Sequence, residues 1–158
     1  ADVRSKVPED FLIGVRISPE YTKIGVRIDD SLALSEMLVE SGIDFLHISC
    51  WDCFRSSSEF PEDPRMLTEW FSQRIGGEIP IISTGAIWST SDAQTVMGHG
   101  ADLVGVARAA VGHADWASHI HESEYEPERP PFTPQHLREQ GLSNTFVEYM
   151  RNWKGFVE

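Results

Sequence analysis

The feature that most constrains the fold of this chain is a repeated alternation of short apolar runs with longer amphipathic segments. Four apolar runs have the length of buried strands: 11–18, 43–49, 79–84 and 102–106. Between the first two runs, apolar residues recur at helical spacing until the chain reaches Gly42. Strands that alternate with helices pair in parallel. The sequence therefore predicts an α/β fold built from four β/α units.

Polar caps and glycines mark where the helices of these units should begin and end. Residues 30–31 can cap the first helix, and Asp63 can cap a second helix over 64–74. Residues 89–92 offer caps for a third helix that ends near Gly98. From residue 122 onward, prolines favour an extended connector, and a helical tail follows.

Length and charge limit the classes of protein to which the chain can belong. Its 158 residues are enough for one hydrophobic core. A net charge of −12 with only 13 Lys and Arg argues against nucleic-acid binding, which needs clustered cations. There is no apolar stretch of the roughly 20 residues that span a bilayer and no secretory signal, and two cysteines make no disulfide framework. We therefore expect a cytoplasmic protein without membrane partners.

Residues suited to binding an anion follow the last two predicted strands. Gly85 allows close approach to the backbone, and successive N–H groups there, with the following helix start, favour a phosphate. A tight turn with its helix cap explains the same residues without a ligand. Arg108 ends the next strand and could bind two phosphate oxygens through its planar guanidinium. Because barrel phosphate sites recur after the last two strands, the pair favours a phosphate site.

Four stretches of the chain resemble strands five to eight of the Old Yellow Enzyme type of NADH:flavin oxidoreductases. They agree with that family in their order, their spacing and the residues at their strand ends, and they cover 13–19, 42–49, 80–87 and 100–108. The ending over 131–134 and 149–156 also resembles C-termini of that family. The resemblance implies that residues 1–121 form the C-terminal half of a (β/α)8 TIM barrel with an FMN phosphate-binding rim. Residues 122–158 would form an extended connector and a C-terminal helical tail.

The resemblance also implies contacts with FMN. Arg16 matches an arginine beside the flavin pyrimidine edge, where a positive charge stabilises the reduced flavin. Backbone amides at Gly85, Ala86, Ala107 and Arg108 would face the phosphate, with the Arg108 side chain closing the clamp. Many members carry Gly in place of Ala107, and Gly or another residue in place of Ala86. Backbone donors survive both changes.

Other residue patterns are weaker candidates for function. In the family, the loop after the second strand lies near the substrate pocket, so Trp51 and Phe54 are candidate pocket residues. Cys50 and Cys53 have CxxC spacing, but without a helix start to lower a thiol pKa, and no second motif completes a metal site. His47 on a strand is more typical of a core histidine than of a ligand. We predict no metal site.

These observations leave more than one function open. The first is an FMN-dependent oxidoreductase that transfers hydride from NADH or NADPH through FMN to an activated alkene. The family takes its substrate-binding histidines and proton-donor tyrosine from the barrel half before Arg16, so no catalytic residue is assignable. The alternative is a non-catalytic half-barrel that binds at most a phosphate-bearing ligand and associates with itself or with the missing N-terminal half. Another phosphate-binding barrel, such as a dihydroorotate dehydrogenase or an isomerase, is a third reading.

Overall fold

A computed structural model describes residues 2–158 and shows a four-stranded parallel sheet with the strands in sequence order. The strands are β1 (Gly14–Ile17), β2 (Phe45–Ser49), β3 (Ile81–Thr84) and β4 (Leu103–Gly105). In this register Arg16 lies opposite His47, and Ser49 lies opposite Thr84. The α/β class and the order of the elements are confirmed, although each strand is shorter than its apolar run.

Seven α-helices are present among the described residues, and the first three follow strands β1 to β3. They are α1 (Ile28–Glu40), α2 (Leu67–Ile75), α3 (Thr90–Gly98), α4 (Arg108–Gly112), α5 (Trp116–His119), α6 (Pro134–Glu139) and α7 (Asn144–Met150). Short 3₁₀ turns cover Arg4–Lys6 and Thr22–Ile24. The predicted helical tail is thus two short helices.

The first two helices begin at other residues than predicted, because carboxylates accept hydrogen bonds from the N–H groups at their starts. For α1 the carboxylate is distant in the chain, and for α2 it belongs to the first turn of the helix itself. Helix α1 begins at Ile28, whose N–H donates to Glu59 Oε2 at 2.6 Å, so residues 30–31 lie inside the first turn. Helix α2 begins after Met66, whose N–H donates to the Glu69 carboxylate at 2.7 Å. Asp63 instead accepts the Arg65 N–H at 3.0 Å.

One face of the sheet is covered by helices, and the other is open. Leu46, Ile48 and Ile81 are fully buried on the covered face. On the same face, the buried Ser83 hydroxyl bonds to Thr68 of α2 at 2.7 Å. The alternate residues face the other way, and Leu103 among them is 54% exposed. The core of this part of the chain therefore lies between the sheet and its helices.

The chain divides into two compact units, of which the first comprises 1–87 and 94–105 and contains the whole sheet. The second comprises 88–93 and 106–158. In it, the indole N–H of Trp116 donates to the Trp88 carbonyl at 2.6 Å, and Phe132 is buried. The boundary predicted after residue 121 falls inside the second unit and stays a prediction.

Helix length and hydropathy bear on membrane insertion. Among the described residues, no helix is both long enough and apolar enough to cross a bilayer.

Candidate functional site

Arg16 brings a positive charge to the carboxyl end of β1 in the first unit. Its side chain is exposed on the open face of the sheet, and its guanidinium donates to the hydroxyl of Ser49, the last residue of β2. The two residues are 33 positions apart in the chain, but parallel pairing of β1 with β2 brings their strand ends together. Arg16 is therefore a side chain held at the edge of the sheet where ligands of parallel α/β folds bind.

His47 lies beside Arg16 on the same open face and is half-buried. Its Nε2 lies 2.9 Å from Thr84 Oγ1. Burial, and then the charge of Arg16, lower the pKa of His47 below its usual value, so the ring is neutral at neutral pH. A Cβ at Gly105 would lie 2.0 Å from Thr84 Oγ1, so the glycine leaves room for this pair. His47 is thus a hydrogen-bonded histidine, and no group of metal-binding side chains occurs in the described residues.

The turn after β3 has an unusual backbone. Gly85 has a φ of 144° and Ala86 a φ of 58°, which is a left-handed conformation that alanine rarely adopts. Within the described residues, the N–H groups of Gly85 and Ala86 donate to no other backbone or side-chain group of the chain. Two neighbouring backbone donors are therefore available at this turn, and their role in binding an anion stays a prediction.

The loop after β2 explains why a glycine is needed at this turn. A Cβ on Gly85 would lie 2.6 Å from the Cys50 carbonyl oxygen. The Cys50 N–H donates to the Thr84 carbonyl at 2.9 Å, and the Cys53 N–H donates to the Gly85 carbonyl at 3.2 Å. The close approach that requires Gly85 is thus made by the protein's own loop. Sequence reasoning assigned that space to a ligand and missed these contacts.

The N–H groups at the start of helix α3 donate to other groups of the chain. The predicted phosphate site therefore loses these donors. The Ser89 hydroxyl accepts the Asp92 N–H at 3.0 Å, and the Asp92 carboxylate accepts the Ser89 N–H at 3.1 Å. The Thr90 N–H donates to the Tyr125 carbonyl at 3.1 Å. The predicted cap at 89–92 is confirmed, but these donors are not open to a phosphate, and the Asp92 charge would repel one. The available donors belong to the turn at Gly85 and Ala86.

A buried carboxylate anchors the loop after β2, and no sequence pattern pointed to it. Glu20 has a side-chain exposure of 1% and accepts hydrogen bonds from the Arg55 guanidinium at 2.6 Å, the Ser57 hydroxyl at 2.7 Å and the Ser58 N–H at 2.9 Å. Burial by itself raises the pKa of Glu20, but the hydrogen bonds from Ser58, Ser57 and Arg55 outweigh it and lower the pKa to about 2. Glu20 is therefore an anion at neutral pH that ties this loop to the loop after β1.

The remaining loop residues include the two predicted pocket residues. Trp51 is 66% exposed, and Phe54 is half-buried, with its N–H bonded to Asp52 Oδ1 at 2.9 Å. Cys50 and Cys53 are both buried and not joined in a disulfide, and burial raises the pKa of the Cys50 thiol to about 12. Neither thiol is therefore accessible, and the thiol of Cys50 is not acidic, whereas redox chemistry requires an accessible, acidic thiol.

The other two predicted cofactor contacts lie in the second unit. Helix α4 begins at Arg108, so this residue opens a helix instead of ending a strand. Ala107 is exposed and Arg108 is half-buried. Their assignment to a phosphate stays a prediction from the resemblance.

Comparison with known proteins gives matches to flavin and NADH enzymes over part of their length. The chain is 34% identical over 122 residues to an NADH:fumarate oxidoreductase of Klebsiella pneumoniae (strain 342), covering 74% of this chain and 13% of that protein. It is 32% identical over 114 residues to an NADH:acrylate oxidoreductase of Vibrio harveyi, covering 69% and 11%. A probable NADH-dependent flavin oxidoreductase of Bacillus subtilis (strain 168), YqiG, is 29% identical over 71% of this chain and 30% of its own length. No family model matches the chain.

Solved structures agree on the fold. Morphinone reductase superposes with a TM-score of 0.52 at 20% identity, over 78% of this chain and 32% of its own. A mutant of morphinone reductase in complex with tetrahydroNAD gives a TM-score of 0.51 at 19% identity with the same coverage. The chain thus spans about a third or less of each of these proteins, and the predicted half-barrel fold is confirmed.

Proposed function

We propose a function for this chain on the basis of its family. The matches assign the chain to the Old Yellow Enzyme type of NADH:flavin oxidoreductases. The chain supplies part of an FMN site in an NADH-dependent oxidoreductase. Bound FMN would supply the hydride chemistry, and the residues of this chain would bind and orient it. The observation that carries this proposal is Arg16, an exposed cation held by Ser49 at the carboxyl end of a parallel strand.

Arg16 would act on the pyrimidine edge of the flavin. Reduction of a flavin places negative charge at that edge, and a fixed guanidinium there stabilises it. The low pKa of His47 means that the neighbouring ring adds no second positive charge at neutral pH. Arg16 is therefore the group of this face that would set the flavin's electronic environment.

The turn after β3 would receive the phosphate of FMN. Gly85 and Ala86 present two backbone N–H groups with no acceptor among the described residues. Backbone donors of this kind bind phosphate oxygens in many α/β folds. We retain Ala107 and Arg108 as proposed phosphate contacts on the resemblance alone.

The proposed substrate is an activated alkene, with Trp51 and Phe54 as pocket residues. Two of the relatives are named for fumarate and acrylate, both of which are conjugated alkenes. The three sequence relatives share NADH in their names. We therefore propose NADH as the hydride donor. We also propose that the chain is part of a soluble cytoplasmic ene-reductase.

A flavin titration with three variants tests the role of Arg16. The chain should take up FMN and show flavin absorption. Arg16→Gln should lower the two-electron reduction potential by on the order of 30 mV, which corresponds to about 1.4 kcal/mol. Arg16→Lys keeps the charge and should shift the potential less, and Arg74→Gln on an exposed ion pair of α2 should not shift it.

Two results would contradict this assignment. A chain that takes up no FMN supports the second candidate function, a half-barrel without catalysis. That candidate is favoured by a specific observation, the open face of the sheet. Equal reduction potentials for Arg16→Gln and the unaltered chain would show that Arg16 does not lie at the flavin edge.

A further inference from the structure

Cys53 directs two hydrogen bonds at a single backbone oxygen. Its N–H lies 3.2 Å from the carbonyl oxygen of Gly85, and its sulfur lies 2.9 Å from the same atom. The side chain is 1% exposed, so both bonds are shielded from water. An unpaired carbonyl in such a place would cost free energy, and this pairing therefore fixes the orientation of the Gly85–Ala86 peptide.

The orientation of that peptide decides where the Ala86 N–H points. In a trans peptide, the C=O and N–H groups point in opposite directions. Since the Gly85 carbonyl points to Cys53, the Ala86 N–H points away from the loop after β2. The next torsion, φ of Ala86, is 58°, a left-handed value that alanine disfavours.

We propose that Cys53 is a positioning residue that locks the Gly85–Ala86 peptide and so presents the Ala86 N–H to the phosphate of FMN. This inference rests on the proposed function, because it uses the phosphate as the ligand of the turn. The CxxC spacing then has a structural meaning. Cys50 provides the backbone carbonyl that packs against Gly85, and Cys53 provides the thiol that bonds to it.

The loop is held on its far side as well, which makes the lock rigid. Glu20 accepts hydrogen bonds from Ser57 and Ser58, four and five positions after Cys53. The backbone before Cys53 is paired through the Cys50 N–H to the Thr84 carbonyl. The thiol therefore lies on a segment that hydrogen bonds hold on both sides. A group can orient another group only if its own position is fixed in this way.

Replacing the thiol tests the lock in the whole chain. Cys53→Ala removes the side-chain donor, and Cys53→Ser restores one of similar direction. The first readout is the amide NMR resonance and hydrogen exchange of Ala86 without ligand. The second is the ratio of the Kd for riboflavin to the Kd for FMN, which isolates the phosphate. Cys50→Ala is the matched control, because it removes a buried thiol but keeps the backbone contacts of that residue.

We expect Cys53→Ala to shift the Ala86 resonance and to lower the riboflavin-to-FMN ratio about fivefold, the worth of one hydrogen bond of about 1 kcal/mol. Cys53→Ser should return the ratio to within about twofold of the unaltered chain. An unchanged resonance and ratio in Cys53→Ala, as in Cys50→Ala, would overturn the inference. If the unaltered chain binds riboflavin as tightly as FMN, the turn does not bind the phosphate. The proposal that Cys53 presents the Ala86 N–H to the phosphate is then wrong as well. The ligand-free resonance would still show whether Cys53 orients the turn.

Discussion

At the scale of single residues, Glu20 is the buried carboxylate of the first unit. Its carboxylate is nearly fully buried and is surrounded by donors from Arg55, Ser57 and Ser58. Burial of a charge is costly unless hydrogen bonds replace the lost water, and here several do. Glu20 belongs to the loop after β1, but its hydrogen bonds hold the loop after β2, which contacts the turn at Gly85.

Glu20→Gln should destabilise the chain and flatten its acid denaturation. A pKa lowered from 4.5 to about 2 corresponds to about 3 kcal/mol, since one pKa unit is worth about 1.4 kcal/mol. The folded-state pKa is below the ordinary value, so this stability is present above pH 4.5 and is lost as the pH falls toward 2. Urea unfolding of the variant and of the unaltered chain at several pH values in that window measures it.

The control for this prediction is Glu36→Gln. Glu36 forms an exposed ion pair with Arg74, and solvent screens such pairs strongly. We expect the variant to follow the unaltered chain at every pH. A similar loss in both variants would show that the burial of Glu20 has no special effect.

At the scale of elements, the turn between β3 and α3 is constrained by packing and by its backbone conformation. Gly85 is required because the Cys50 carbonyl occupies the space of a Cβ, and Ala86 is held in the left-handed region. The sequence predicted the turn and the cap of α3 correctly, because both depend on residues close in the chain. It could not predict the packing of the loop after β2 on Gly85, because the Cys53 bond spans 32 positions.

Two exchanges in this turn should differ in their effect on stability. Gly85→Ala should cost about 2 kcal/mol or more, because it adds a backbone clash to an unfavourable φ. Ala86→Gly should change the free energy of unfolding by less than about 1 kcal/mol, because the relief of the left-handed strain offsets the entropy that glycine loses on folding. Denaturant unfolding of both variants measures the difference. Equal losses would mean that the loop can move away from Gly85.

At the scale of the whole molecule, the sheet has one face that helices do not cover. Among residues 2–158, strands β1 and β4 each have one edge without a paired strand, and Leu103 on β4 is 54% exposed. Unpaired parallel edges and exposed apolar side chains favour association with another chain. In a closed barrel of the proposed family, further strands would cover these edges.

We therefore expect the chain to self-associate through this face, and Leu103→Lys to weaken that association. Met37→Lys is the matched control, since Met37 is 65% exposed on α1, a helix on the covered face of the sheet. Sedimentation velocity over a range of concentrations measures the effect. A chain that stays monomeric at all concentrations, or a Met37→Lys variant that dissociates equally, would show that the open face is not the contact.

The amino-acid sequence by itself determined the order of strands and helices, the glycine turn after β3 and the cap of α3. These depend on periodicity and on side chains a few positions from the backbone that they bond. Only the tertiary structure decided where α1 begins, which donors remain for an anion, and what Glu20, His47 and Cys53 do. The partners of these residues lie 31 to 38 positions away in the chain, so that only the parallel pairing of β1, β2 and β3 brings them into contact.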